Sequence, residues 1–143
     1  MASFTVEGLD EAINGLQKMD LFDGETQEEL LCDAGDTLVN LIRTEMSKSR
    51  LRLDDMTQKV TYSKKIKTDK NGVPSITVTA SGKTAQGQRN ATVLFVLNYG
   101  RDKKYGQITG GYFWTIAVQK AKGIIPARLQ KIAEKKLKER GLI

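Results

Sequence analysis

The sequence predicts an α+β domain: a small antiparallel sheet of about three strands packed against a long helix and C-terminal helices, in the order α-α-β-β-β-α-α. Three observations carry that reading. Apolar residues recur at helical spacing in two stretches before residue 50, period-two alternation brackets the step Asn71-Gly72, and helical spacing returns after residue 112. The 143 residues fit one domain.

Ser3-Phe4-Thr5-Val6 alternates weakly and suits a short strand or an ordered arm. Leu9, Ala12, Ile13, Leu16 and Met19 then form the stripe of an amphipathic helix over residues 8–19. Glu7, Asp10 and Glu11 lie in its first turn, where the helix dipole favours anions. An acidic connection at 20–25 leads to a longer helix over residues 25–49, striped by Leu30, Leu31, Ala34, Leu38, Leu41, Ile42 and Met46. Thr26 and Glu29 have capping-box spacing, while Arg43 and Lys48 lie toward the end and complement the dipole. Gly35 costs that helix about 1 kcal/mol relative to alanine and marks close packing against a neighbour.

Residues 49–56 read as a turn. Residues 58–68 alternate, with Val60, Tyr62 and Ile66 on one face. Asn71-Gly72 accepts the positive φ of a tight hairpin turn, and Ile76, Val78 and Ala80 alternate with polar neighbours over residues 73–80. Residues 81–90 hold two glycines and no large apolar side chain, and read as a mobile loop. Residues 91–99, ATVLFVLNY, are β-branched, aromatic and apolar in the middle, the pattern of a buried third strand. A second Gly-rich loop, 100–111, returns to helical spacing at Tyr112. Gly123 interrupts that spacing, Pro126 suits the first position of a last helix, and Gly141 suits the residue just past its end.

Charge is distributed unevenly. Residues 1–40 hold ten acids and one base, Lys18, a net −9; residues 41–143 hold 22 bases and seven acids, a net +15. Such a chain has two attractive partners: a second copy of itself, and nucleic acid on the basic side. No apolar run is long enough to span a membrane, the first residues lack the pattern of a signal peptide, and the single Cys32 is expected to be a buried thiol. The chain has no histidine, which removes the commonest general base and the Ser-His and Cys-His constellations. No phosphate-loop pattern exists, and the adjacent acids Glu28-Glu29 and Asp54-Asp55 point apart on most elements. No enzymatic activity, cofactor or metal is therefore expected.

Residues 91–121 organise the chain, since six of its nine aromatic residues lie there. Tyr99, Gly100, Phe113 and Trp114 are expected to anchor the junction between sheet and C-terminal helices, with Tyr99-Gly100 turning the chain. Arg101, Lys103, Lys104 and Tyr105, which interleave base and aromatic in the exposed loop, are expected to form a subunit interface. The same residues and the cationic last helix suit phosphate contacts, so a small, basic, non-specific nucleic-acid-binding protein is the alternative reading.

The chain also resembles a tailed-phage family, the small neck and tail-completion proteins of head-tail joining type, also called putative minor tail components. The resemblance rests on Gly8-Leu9-Asp10-Glu11 with Leu16, on Phe95-Val96-Leu97-Asn98-Tyr99-Gly100, and on Gly111-Tyr112-Phe113-Trp114 with Ala117 and the helix through Leu137. Asn98 stands where members often carry Glu or Asp, and the Pro and Arg usual before the C-terminal helix are absent. The resemblance implies a structural protein without enzymatic activity, forming a ring at the neck or tail terminus of a virion or phage-tail-like particle assembled in the bacterial host cytoplasm. The expected partners are further copies in a homo-oligomeric ring, a hexamer, with tail-tube, sheath or head-connector proteins and DNA in the lumen, and no membrane. Loops 81–90 and 100–111 are expected to order on assembly.

Overall fold

The computed structural model describes residues 4–5, 24–51, 53–63, 67–68 and 74–141. The helix anticipated over residues 8–19 and the turn at Asn71-Gly72 lie outside them. The described chain is an α+β fold. Helix α1, Gly24–Lys48, is the long helix read from the sequence, at 25 residues. Leu30, Leu31, Ala34, Leu38, Val39, Ile42 and Met46 bury one face of it. A 3-10 turn at Asp54–Lys59 follows, and Arg43 reaches from α1 to donate to the carbonyls of Thr57 and Val60, at 3.0 and 2.9 Å. Arg43 thus ties the next segment to the helix, rather than only complementing the dipole.

The sheet has three antiparallel strands in the order β1-β5-β2: β1 is Phe4–Thr5, β2 is Val60–Tyr62 and β5 is Thr77–Ala80. Val60 lies opposite Ala80, and Phe4 opposite Val78. The outer part of the hairpin pairs β3, Lys67–Thr68, with β4, Pro74–Ser75. Val60, Ile76, Val78 and Ala80 bury into the core shared with α1. At Gly35 the helix packs tightly on this segment: a Cβ there would lie 2.7 Å from Ile76 Cδ1 and 2.8 Å from Tyr62 Cγ. The close packing anticipated at Gly35 is present.

The third strand is not the one expected. Residues 91–99 lie in a helix, α2, Asn90–Tyr99, and the N-terminal arm supplies the third strand instead. The reason is visible in burial. Asn90, Leu94 and Asn98, at i, i+4 and i+8, face inward, so the helical period is carried by two asparagines and one leucine. The outward residues are also apolar, which erased the period from the sequence pattern. The loop before α2 is held by its own hydrogen bonds in the single chain, with Asn90 donating to the Ser81 carbonyl at 2.8 Å and the Thr84 N–H to the Gln88 carbonyl at 2.7 Å.

A second short hairpin, β6, Gly100–Arg101, with β7, Ile108–Thr109, leads into α3, Phe113–Glu139. The two C-terminal helices expected from Gly123 and Pro126 are this single helix. Phe113, Ala117, Ala121, Ile125, Leu129, Ala133 and Leu137 are all buried, a ridge of every fourth residue that runs straight through both helix breakers. Their burial outweighs the roughly 1 kcal/mol cost of Gly123 and the hydrogen bond lost at Pro126. Gly123 and Lys122, whose carbonyl loses its intrahelical partner at Pro126, face solvent. Gly141, φ +69°, ends the helix as read from the sequence.

Candidate assembly surface

The junction between α2 and α3 is built around one side chain. Asn98 is fully buried; its Oδ1 accepts from the Trp114 N–H at 2.9 Å and the Thr115 N–H at 3.3 Å, while its Nδ2 donates to Thr115 Oγ1 at 2.9 Å. The first N–H groups of a helix have no intrahelical acceptor. Tyr112, the residue before α3, gives no side-chain cap of its own. Asn98 takes that role from the preceding helix. In return, the Gly111 and Tyr112 N–H groups donate to the carbonyls of Leu97 and Asn98 at the end of α2, each at 2.9 Å. The two helix ends cap each other.

That exchange demands close backbone approach. Gly100 has φ +87°, and a Cβ at Gly110 would stand 2.6 Å from the Asn98 carbonyl oxygen. Tyr112 itself adopts a left-handed conformation, φ 52°, the one non-glycine among the described residues to do so.

The outward face of α2 carries the site. Phe95 and Tyr99 are 45% and 46% exposed and pack ring to ring, centroids 4.8 Å apart. Tyr112 and Ile116, at the start of α3, are exposed as well, as is Ile124 further along. A helix that is apolar all round is normally buried all round. Helix α2 is instead inverted, with asparagines inside and aromatics outside. On its other flank a groove of about 330 Å³ runs between α2 and the β6–β7 hairpin. Val93, Val96, Leu97 and Ile108 line it, and Arg89 and Arg101 stand in its wall. Neither arginine forms an ion pair among the described residues; Arg101 Nε donates to the Gly106 carbonyl at 2.8 Å, which holds the hairpin closed.

Elsewhere the opposite charges of the chain meet internally. Glu29 pairs with Lys136 at 3.1 Å, Asp33 receives a bidentate grip from Arg128 at 2.6 and 3.0 Å, and Glu45 pairs with Lys120. Ascending positions on α1 meet descending positions on α3, so the helices run antiparallel with an ion pair at intervals along the seam. Glu45 is buried, and Lys48 adds a second cation at 3.7 Å. The hydrogen bond from Lys120 holds its carboxyl below the ordinary value, against an opposing push from burial, with the charges of Lys120 and Lys48 adding to the depression. Burial first, and a hydrogen bond to Asp36 second, push the Tyr62 hydroxyl up to about 12.

The expected site residues fall into two groups. Arg101, Lys103 and Lys104 are exposed on the β6–β7 hairpin, with Lys103–Tyr105 forming a 3-10 turn whose first N–H is capped by Asp102 at 2.7 Å. Gly100 turns the chain, and Phe113 and Trp114 are buried in the cluster that joins α1, the sheet and α3. Tyr99 was expected as a core anchor and is not one: the inward position of that turn is taken by Asn98, which leaves Tyr99 facing out. Loop 100–111 is likewise already closed in the single chain by its strand pairing and the Arg101 bond. Sequence reasoning missed the capping role of Asn98 and the pairing of Glu45; their partners lie 16 to 17 and 75 residues away, beyond any local spacing rule. Cys32 is half-buried, more open than expected.

These features define a small α+β domain with an apolar-aromatic helix face beside a cationic hairpin. The chain matches no family model, no curated protein and no solved structure. No helix among the described residues is long and apolar enough to cross a membrane.

Proposed function

We propose that this protein is a structural subunit of a phage or phage-tail-like particle and forms a homo-oligomeric ring, a hexamer, at the neck or tail terminus. The observation that carries the assembly reading is the inverted helix α2, whose Phe95 and Tyr99 face outward beside Tyr112 and Ile116. Exposed apolar clusters of this kind mark interaction surfaces. The placement at the neck or tail of a particle rests on the sequence resemblance. In this reading Arg101, Lys103, Lys104 and Tyr105 contact a neighbouring subunit, and no catalysis or cofactor is involved. Tail-tube, sheath or head-connector proteins stack above and below the ring, and DNA passing through its lumen meets the remaining lysines.

Native mass spectrometry tests this. A ring is expected for the wild-type chain, and its loss for the double variant Phe95→Ser/Tyr99→Ser. Because both side chains are already half exposed, the unfolding free energy of that variant should change by only about 0.5 kcal/mol per site. Monomer alone at high concentration, with and without tail-tube protein, overturns the proposal.

A second reading has an observation of its own. Exposed rings beside Arg101, Lys103 and Lys104 are the elements of a single-strand binding platform, in which bases stack and cations track phosphates. A gel-shift titration decides: affinity falling steeply with log salt supports it, and no shift at about 50 mM salt removes it.

A further inference from the structure

We infer that the groove between α2 and the β6–β7 hairpin receives the acidic N-terminal stretch of a second copy of this chain, residues 7–23, in a head-to-tail contact. The inference rests on the assembly reading above and names the two surfaces that it uses.

Charge decides the occupant. The acids Glu29, Asp33 and Glu45 are consumed by α3 within one copy. Upstream of α1 the sequence carries a further acidic block, Glu7, Asp10, Glu11, Asp20 and Asp23, with Lys18 the one base among them. On the basic side, Arg89 and Arg101 stand in the groove wall without a carboxylate among the described residues, and exposed Lys103 lies beyond them on the hairpin. Val93, Val96, Leu97 and Ile108 give the groove an apolar part, and the acidic stretch carries Leu9, Ala12, Ile13 and Leu16 at the spacing by which an amphipathic helix lays its anchors into a groove. A volume of about 330 Å³ lies at the small end of the usual range for binding clefts, room for a few such side chains. A contact that joins two different surfaces of each copy is heterologous, the kind from which rings and open chains are built.

The test uses two charge reversals in the full chain. One reverses the groove, Arg89→Glu with Arg101→Glu; the other reverses the stretch, Glu7→Lys with Asp10→Lys and Glu11→Lys. Each is checked by circular dichroism and urea unfolding, and its association is read by sedimentation velocity. Each variant alone should associate about tenfold or more weakly than wild type, because like charges then face each other. An equimolar mixture of the two should associate again, because each supplies the complement of the other.

Wild-type assembly that survives both reversals, or reversals that no mixture rescues, overturns the inference and leaves the ring reading standing. Rescue on mixing, with wild type forming only dimers or open chains, upholds the inference and removes the ring. Reversals that destabilise a chain already monomeric as wild type mean that the stretch serves its own copy, and overturn the inference. A groove reversal that abolishes a single-stranded DNA gel shift while leaving association intact assigns the arginines to nucleic acid and also overturns it.

Discussion

The N–H groups of Trp114 and Thr115 begin a 27-residue helix, and both are turned to the amide oxygen of Asn98. Replacing Asn98 with alanine leaves them buried without an acceptor and strands Thr115 Oγ1, so Asn98→Ala should cost about 2–4 kcal/mol by urea unfolding. Asn98→Asp should cost less at neutral pH. Its carboxylate accepts from the same two N–H groups, the Thr115 hydroxyl rotates to donate, and the N-terminal end of a helix favours an anion. The cost of burying that charge sets the remainder, so the order wild type, then Asp, then Ala is the expected result. Glu45 offers a second prediction, in pH. Its folded pKa lies below the ordinary 4.5. The unfolded chain therefore takes up this proton first as pH falls, and the contribution of Glu45 is present above about 4.5 and lost as pH drops through the depressed value. Thermal unfolding from neutral pH to about 3 should show that loss, and Glu45→Gln should flatten it. Neither residue was legible in the sequence. An asparagine that caps a helix 16 residues downstream leaves no local signature, and a Glu late in a helix looks like any solvated acid until its partner is known.

Among the elements, legibility followed one-sidedness. Helix α1 was readable end to end, because its apolar residues fill one stripe and its polar residues the other. The β2/β5 hairpin was readable from alternation. Helix α2 was not, because its inward positions are Asn90, Leu94 and Asn98 and its outward ones Phe95 and Tyr99, so no period of 3.6 survives. The length of α3 was misread for another reason: local propensity said stop at Gly123 and Pro126, and tertiary burial of Ala121, Ile125 and Leu129 overrode it. Gly35 shows the same contest decided by space. Gly35→Ala gains about 1 kcal/mol of helix propensity. It also places a methyl 2.7–2.9 Å from Ile76 and the Tyr62 ring, which must shift or separate. Overpacking of this kind costs about 1–3 kcal/mol, so net destabilisation is expected in urea, with the loss concentrated in sheet-to-helix docking. Hydrogen exchange that quickens at β2 and β5 before α3 is the matching local readout. A stabilised Gly35→Ala variant means that Ile76 has room to move.

At the scale of the whole molecule, the charge asymmetry of the sequence serves two ends. Part of it is internal, as α1 acids and α3 bases bind the two long helices into one seam. The remainder, an acidic stretch before α1 and a basic end around Arg89 and Arg101, supplies the two sides of the proposed head-to-tail contact. These two uses respond differently to salt. The Debye length falls from about 10 Å at 0.1 M to about 3 Å at 1 M, which weakens exposed pairs far more than buried ones. The fold rests on a continuous apolar core, and its seam ion pairs, partly exposed, carry little of its stability, so its urea midpoint should move little over that range. Association through Arg89 and Arg101 should instead fall about tenfold or more. If the copies meet through the rings of Phe95 and Tyr99 alone, burial of apolar surface drives them together, and salt should leave association unchanged or strengthen it. Sedimentation at the two ionic strengths, beside urea unfolding at the same two, therefore separates a charge-matched groove from a purely apolar face in a single comparison.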